Sequence, residues 1–231
     1  LTRSLIIFGQ GLNKSHPYIY PILENVLNNN KNDILNNLNN ILVHSLKLYL
    51  QTFNTSNLIP FINKTLNQQI IDFACLTNFV ALKGGKLKAE QMLSGEMADI
   101  FSNLYLAISV QYYDKNYKTS KKLTNYIIDK LIIENQISIN NVINNMNYEK
   151  MFVLHLKKEP KLISYKDECE IFDEIITNKN IITEIKKNIY INDNILYDLQ
   201  KANESNIDKN LEEYKSLKDR IINVGEYKMT I

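Results

Sequence analysis

The chain has 231 residues, 45% hydrophobic and 23% charged, and carries only 6 Gly and 4 Pro. So few turn-formers exclude a sandwich, barrel or other many-turn β fold, while the length suffices for a sizeable core without disulfides or metals. Net charge is +2, from 27 basic and 25 acidic residues, which excludes the basic stripe expected of a nucleic-acid-binding protein. The two cysteines, Cys75 and Cys169, exclude a disulfide scaffold and read as reduced thiols of a cytoplasmic protein. Asn, Ile and Lys are over-used and the arginines are Arg3 and Arg220 alone, a drift of the kind an AT-rich coding sequence produces. The Asn runs (28–30, 36–37, 144–145) have apolar residues threaded through them at helical spacing, so they read as helix rather than as low-complexity tract.

In chain order, a first helix ends near Gly9-Gln10-Gly11. The next helix starts at Pro17 or Pro21, where a missing N–H costs nothing in a first turn, and another spans Ile34 to Leu50. Leu35, Leu38, Leu42, Leu46 and Tyr49 step by three and four, as do Leu66, Ile70, Phe73, Leu76 and Val80. Met97, Phe101, Leu104, Ile108 and Tyr112 form the cleanest stripe. The span Leu66 to Tyr113 therefore reads as two long helices joined near Gly84-Gly85, with Ala74, Ala81, Ala98 and Ala107 permitting close approach. The second of them is apolar around much of its circumference and belongs at the centre of a bundle. A helix from about Ser120 to Asn135 follows, then shorter helices in a more polar remainder, the last from about Asn206 to Asn223 with Ile207, Leu211, Tyr214, Leu217 and Ile221 on one face. Pro160 marks the boundary between bundle and tail. The fold expected is all-α: a helical bundle with two long central helices and a shorter, more polar helical tail.

Candidate chemistry is thin. Gly9-Gln10-Gly11 lacks the third glycine of a dinucleotide loop, because Lys14 holds that position, and no β-α-β context follows. Gly84-Gly85-Lys86 lacks the spacing of a phosphate loop and reads as a helix-hairpin turn. His16, His44 and His155 have no ligand spacing with one another or with the cysteines, so no metal site is expected. Cys75 on an apolar helix face reads as an inert buried thiol. Glu96 and Asp99 share a helix face and would suit acid–base work, but carboxylates so placed are commonly solvated or paired. The clusters Lys118, Lys121, Lys122 and Lys157, Lys158, Lys161, Lys166 have acids interleaved and read as solvated surface, with a membrane or CoA-phosphate contact as the functional alternative. The residues alone thus indicate a helical bundle and assign no catalytic, cofactor or metal residue.

Two stretches carry a resemblance. Leu1-Thr2-Arg3-Ser4-Leu5-Ile6-Ile7-Phe8-Gly9-Gln10-Gly11 with His16-Pro17-Tyr18 resembles the end of the core of the large bacterial acyl-CoA dehydrogenases of fatty-acid degradation. Val80-Ala81-Leu82-Lys83-Gly84-Gly85-Lys86-Leu87-Lys88, with Ser94-Gly95-Glu96-Met97-Ala98-Asp99-Ile100-Phe101-Ser102-Asn103-Leu104-Tyr105-Leu106-Ala107, resembles the C-terminal extension of that type. Their order and approximate spacing also match. The likeness is strong over residues 1–113, weaker but collinear to about Leu162, and fades beyond it. The basic residues the family often carries after the Gly-Gly-x-Leu-Lys turn are here Ala89-Glu90, which weakens any anionic contact at that turn.

The resemblance implies a piece of a longer, FAD-dependent enzyme that converts fatty acyl-CoA to trans-2-enoyl-CoA, a glutamate base taking the α-proton and the flavin accepting hydride. It implies that the base and most flavin and acyl-CoA contacts lie upstream of Leu1, so no catalytic or cofactor residue falls on this chain. Residues 1–12 would end the core's helical domain, 13–160 would form the extension bundle and 161–231 a helical tail. The partners implied are the enzyme's own core, acyl-CoA through that core and a second subunit, with peripheral contact at the inner membrane from the cytoplasm. The fragment alone would be inactive. The competing reading is a non-enzymatic helical interaction module that survived loss of the core.

Overall fold

A computed structural model of the chain describes residues 18–28, 31–54, 62–83, 86–87, 89–117, 120–187 and a few isolated positions between 201 and 219. The first segment, Gly9-Gln10-Gly11, Gly84-Gly85 and most of the expected last helix lie outside the described residues. All regular structure among the described residues is helical, with no strand. Two compact units are present, Leu1–Thr177 and Asn178–Ile231.

The first unit holds α1 (Ile19–Leu27), α2 (Lys31–Gln51), α3 (Lys64–Ala81), α4 (Gln91–Tyr117), α5 (Lys121–Asn144), the one-turn α6 (Lys150–Val153) and α7 (Tyr165–Thr177). A 3₁₀ turn, Leu154–Leu156, follows α6. An extended strap, residues 157–164, with Pro160 inside it, leads to α7. The second unit contributes α8 (Lys179–Lys187).

Local chemistry sets the helix starts. Pro21 falls in the first turn of α1, where no intrahelical N–H is needed. Asn63 Oδ1 accepts the Thr65 N–H at 2.8 Å to cap α3. Ser120 Oγ accepts the Leu123 N–H at 3.2 Å to cap α5. At α7 the cap is reciprocal: Ser164 Oγ accepts the Asp167 N–H at 3.2 Å, and Asp167 Oδ2 accepts the Ser164 N–H at 3.3 Å. The Ser164 hydroxyl also donates to Asp167 Oδ2 at 2.7 Å, and this bond first, then the Ser164 N–H, holds the Asp167 carboxyl below the usual range.

The centre is the α3–α4–α5 sandwich. Asn63 N–H donates to Gln111 Oε1 at 3.1 Å, and Phe73 meets Phe101 at 6.3 Å between centroids. As α3 ascends its partner on α4 descends, so the pair is antiparallel. The same holds for α4 and α5, where Asn103 Nδ2 donates to Glu134 Oε2 and Asn141 Nδ2 donates to Glu96 Oε1. Leu66, Leu76, Val80, Met97, Ile100, Ala107, Ile128 and Ile143 are buried in one continuous core. Ala98 and Ala107 on α4 are buried there, as their small size requires for close helix approach.

Two elements differ from expectation. The α5 helix runs nine residues past Asn135, to Asn144. Asn135 and Gln136 look like a polar break, yet both are buried: Asn135 Nδ2 donates to Gln69 Oε1 at 3.2 Å and Gln136 Nε2 to the Leu156 carbonyl at 3.1 Å. Tertiary partners take the N–H donors of amides that in isolation would favour an end, while Asn135 Oδ1 is buried without a hydrogen-bond partner. Second, the Leu35, Leu38, Leu42 and Leu46 stripe faces outward; α2 packs instead through the half-buried Ile34, Ile41 and Leu48.

Gly95 lies inside α4, and a Cβ added there meets nothing within 4 Å. Gly95→Ala is expected to raise stability by about 0.5–1 kcal/mol, because alanine has less chain entropy to lose on folding. A rise in the urea midpoint checks this; a fall would reveal a steric neighbour.

Candidate functional site

The densest polar chemistry sits where the end of α2, the first half of α3 and the α6–strap turn converge. One α3 face presents Gln68, Asp72 and Cys75. Asp72 is an acid inside the run Ile70-Ile71-Asp72-Phe73, and its side chain is 1% exposed. Its Oδ2 takes Lys158 Nζ at 2.9 Å and its Oδ1 accepts from Gln68 Nε2 at 2.8 Å. Gln68 Nε2 also donates to the Thr52 carbonyl at 3.1 Å, reaching back to the end of α2.

His155 completes the convergence. Its ring stacks on Phe53 at 4.3 Å and meets the edge of Tyr49 at 5.5 Å. Phe79 of α3 stacks on Phe152 of α6 at 5.8 Å. Thr52 Oγ1 lies 2.7 Å from His155 Nε2, and its hydroxyl donates to the Tyr49 carbonyl at 2.6 Å. A hydroxyl has one proton to give, so Thr52 Oγ1 accepts here and Nε2 of His155 carries the hydrogen.

Burial is the largest cause holding His155 below its ordinary 6.5; the Asp72 charge and a hydrogen bond to the Phe152 backbone oppose it, and Lys158 adds to it. The folded state therefore binds fewer protons on His155 than the unfolded chain. This contribution to stability is complete above about pH 6.5 and is lost as pH falls through the lower folded value. The urea midpoint is expected to drop between pH 7 and pH 5, and His155→Gln to remove part of that drop. Parallel pH profiles for the two proteins would show that His155 does not carry it.

Cys75 is buried, and burial followed by the nearby Asp72 charge pushes its thiol up to about 12. It stays protonated at neutral pH and is no nucleophile. Cys169 on α7 is exposed. A thiol reagent at pH 8 is expected to label one cysteine per native chain, Cys169, and both after denaturation. Fast native labelling of Cys75 would contradict its placement.

The other sequence candidates fall apart spatially. Glu96 is half-buried and tied to Asn141 at 3.2 Å, while Asp99 faces solvent. Lys83, its side chain 5% exposed, pairs with Glu90 at 2.8 Å, so the cation that follows α3 is neutralised by the acid that precedes α4. Lys158 is spent on Asp72, Lys157 donates to Asn144 Oδ1 at 2.9 Å, and Lys122 stands 4.0 Å from Glu170. Lys118 and His16 lie outside the described residues. His44 meets Tyr18 edge-on at 5.3 Å. Among the described residues no group of three His, Cys, Asp or Glu is placed to hold a metal ion. Also among them, no helix is long and apolar enough to cross a membrane.

An open cleft of about 530 Å³ runs between α5, the strap and the start of α7. Ile132, Ile133 and Leu162 supply apolar wall; Lys122, Lys158 and Lys161 supply cations. Asp129, Glu159, Asp167 and Glu170 line it as well, with burial pushing the Asp129 carboxyl up against the pull of Lys161. A flavin or CoA diphosphate in this cleft would lie against four carboxylates, so these residues do not fit either group. What the convergence at Asp72 and His155 does accomplish is mechanical: it fastens α2, α3 and the strap to one another.

Of the residues that converge here, the sequence singles out Lys158, as part of a basic cluster, and His155, but not Asp72, Gln68 or Thr52. The usable signal was the single acid in an apolar run, since a carboxylate there must find a partner.

Residues 60–226 match the family described as acyl-CoA dehydrogenase, C-terminal, bacterial type. That span is well over half of the chain, and the chain belongs to this family. It is a C-terminal domain of the acyl-CoA dehydrogenases. The match extends far beyond Leu162, where the resemblance visible by eye fades, and leaves residues 1–59 outside it. No solved structure matches the chain.

Proposed function

We propose that the chain is the C-terminal structural part of a FAD-dependent acyl-CoA dehydrogenase that oxidises fatty acyl-CoA to trans-2-enoyl-CoA, and that it supports folding and subunit packing rather than chemistry. The family match over residues 60–226 carries this reading. The buried polar groups of the first unit support the division of labour. Gln69, Asn135, Gln136 and Asp72 all spend hydrogen bonds on neighbouring elements. In this reading the flavin, the catalytic base and the acyl-CoA cleft belong to a core upstream, and residues 1–12 complete that core's helical domain. Its setting is the cytoplasm, with peripheral contact at the inner membrane. Vesicle co-sedimentation at low salt tests that contact.

The direct test is the coding sequence upstream of Leu1. An in-frame dehydrogenase core with a glutamate base is the expected result, and the full-length product should purify yellow with flavin. A start codon close to Leu1 with no such core would overturn the enzyme reading and leave a helical interaction module.

A further inference from the structure

The α2 helix carries an apolar face that is left uncovered among the described residues. Leu35, Leu38, Leu42, Leu46, Leu50 and, in the turn that follows, Phe53 are each between 43 and 67% exposed. At 100° per residue the five leucines lie within about 60° of one line along the helix, away from the half-buried Ile34, Ile41 and Leu48, and Phe53, whose ring also stacks on His155, continues the row in the turn beyond Gln51. We infer that this face is a contact between two copies of the chain, α2 packing antiparallel on α2 of the second copy about a two-fold axis.

Three observations select a second copy. The first is spacing. The six positions follow one another at three, four, four, four and three residues, an order that reads the same from either end. A two-fold contact sets each position against its mirror: Leu35 against Phe53 of the other copy, Leu38 against Leu50, and Leu42 against Leu46. Every apolar side chain then meets another, as self-complementarity demands of an isologous interface.

The second is charge. No charged side chain occurs from Ile34 to Leu46. The polar members beside the stripe are the exposed amides Asn36, Asn39 and Asn40 and one exposed cation, Lys47, whose mirror position across the axis is Ile41 and not a second Lys47. An amide both donates and accepts, so it can pair with its own kind across a two-fold axis; a lysine or glutamate rim would repel itself. The third is area. At about 60 Å² of apolar surface per part-exposed large side chain, this face with the neighbouring Val43 offers about 400 Å² per copy. Two copies would bury about 800 Å² of apolar surface. In an interface roughly 57% apolar, that corresponds to about 1,400 Å² in total, within the range of stable complexes.

The inference deepens the packing role proposed above by naming its surface and partner. It fails separately from that role: a missing upstream core leaves the dimer untouched, and a monomeric chain leaves the core untouched. The test is sedimentation equilibrium of the 231-residue chain from 1 to 100 µM. A mass rising from 26.9 kDa toward twice that is expected. Leu42→Glu and Leu46→Lys should each weaken association at least tenfold with unchanged circular dichroism, since both sites are exposed in one copy. Mixing the two variants should restore a dimer, because position 42 of one meets position 46 of the other. Asn39→Lys, on the polar side of the stripe, gives an independent weakening should either leucine variant misfold. A chain monomeric throughout, a dimer indifferent to all three substitutions, or a mixture no tighter than either variant alone would overturn the inference.

Discussion

Leu76→Ala is expected to cost about 2–5 kcal/mol of unfolding free energy, while Leu42→Ala in the monomeric chain changes it by no more than about 0.5 kcal/mol. The residue type and the helical spacing are the same; the surroundings differ. Leu76 has no exposed surface and belongs to the core shared by α3, α4 and α5. Removing three carbons there takes away transfer energy and leaves a cavity that three packed helices close only in part. Leu42 is 67% exposed and loses little when shortened. Urea unfolding followed by far-UV circular dichroism at sub-micromolar concentration measures both. Equal costs would mean that the α3 stripe is not the buried one.

The same pair shows how much of the fold was legible. Steps of three and four announce a helix and an apolar face, and both stripes read correctly as helices. Periodicity says nothing about what covers a face. The α3 stripe is met by α4 and α5, which follow within hairpin distance, whereas the Leu35–Leu46 stripe is met by nothing in the described residues. The all-α class and the antiparallel centre followed from spacing, from few Gly and Pro, and from short connections. The full length of α5 did not, because the amide N–H groups of Asn135 and Gln136 find their acceptors on Gln69 and Leu156, residues outside the helix. The convergence around Asp72 was illegible for the same reason: its ion-pair partner stands 86 positions downstream and its histidine neighbour on the same late turn. Family membership was legible because long ordered similarity survives compositional drift that erases single motifs.

Removing Lys158 should cost more than removing Asp72, although the two form one ion pair. The Asp72 side chain is 1% exposed and that of Lys158 is 49% exposed. With Lys158→Met the stem's packing is kept, but a carboxylate remains in the interior with only the Gln68 amide to hold it. An uncompensated buried charge of this kind costs about 3–5 kcal/mol when fully enclosed; the half-exposed partner and nearby solvent reduce this to about 2–3 kcal/mol. With Asp72→Asn the buried group is neutral and Lys158 turns its ammonium into water, for about 1 kcal/mol. The double variant should fall well short of the sum, since its second change removes the charge that the first stranded. The histidine reports on the pair independently. Asp72 favours the charged form of His155 and Lys158 disfavours it, so Asp72→Asn should move the His155 titration lower and Lys158→Met should move it higher. Proton NMR of the imidazole reads these shifts directly. Opposite shifts together with the predicted order of costs would establish Asp72, Lys158 and His155 as one coupled group joining α2, α3 and the strap. Equal costs that simply add, with an unmoved histidine, would reduce it to an ordinary surface pair.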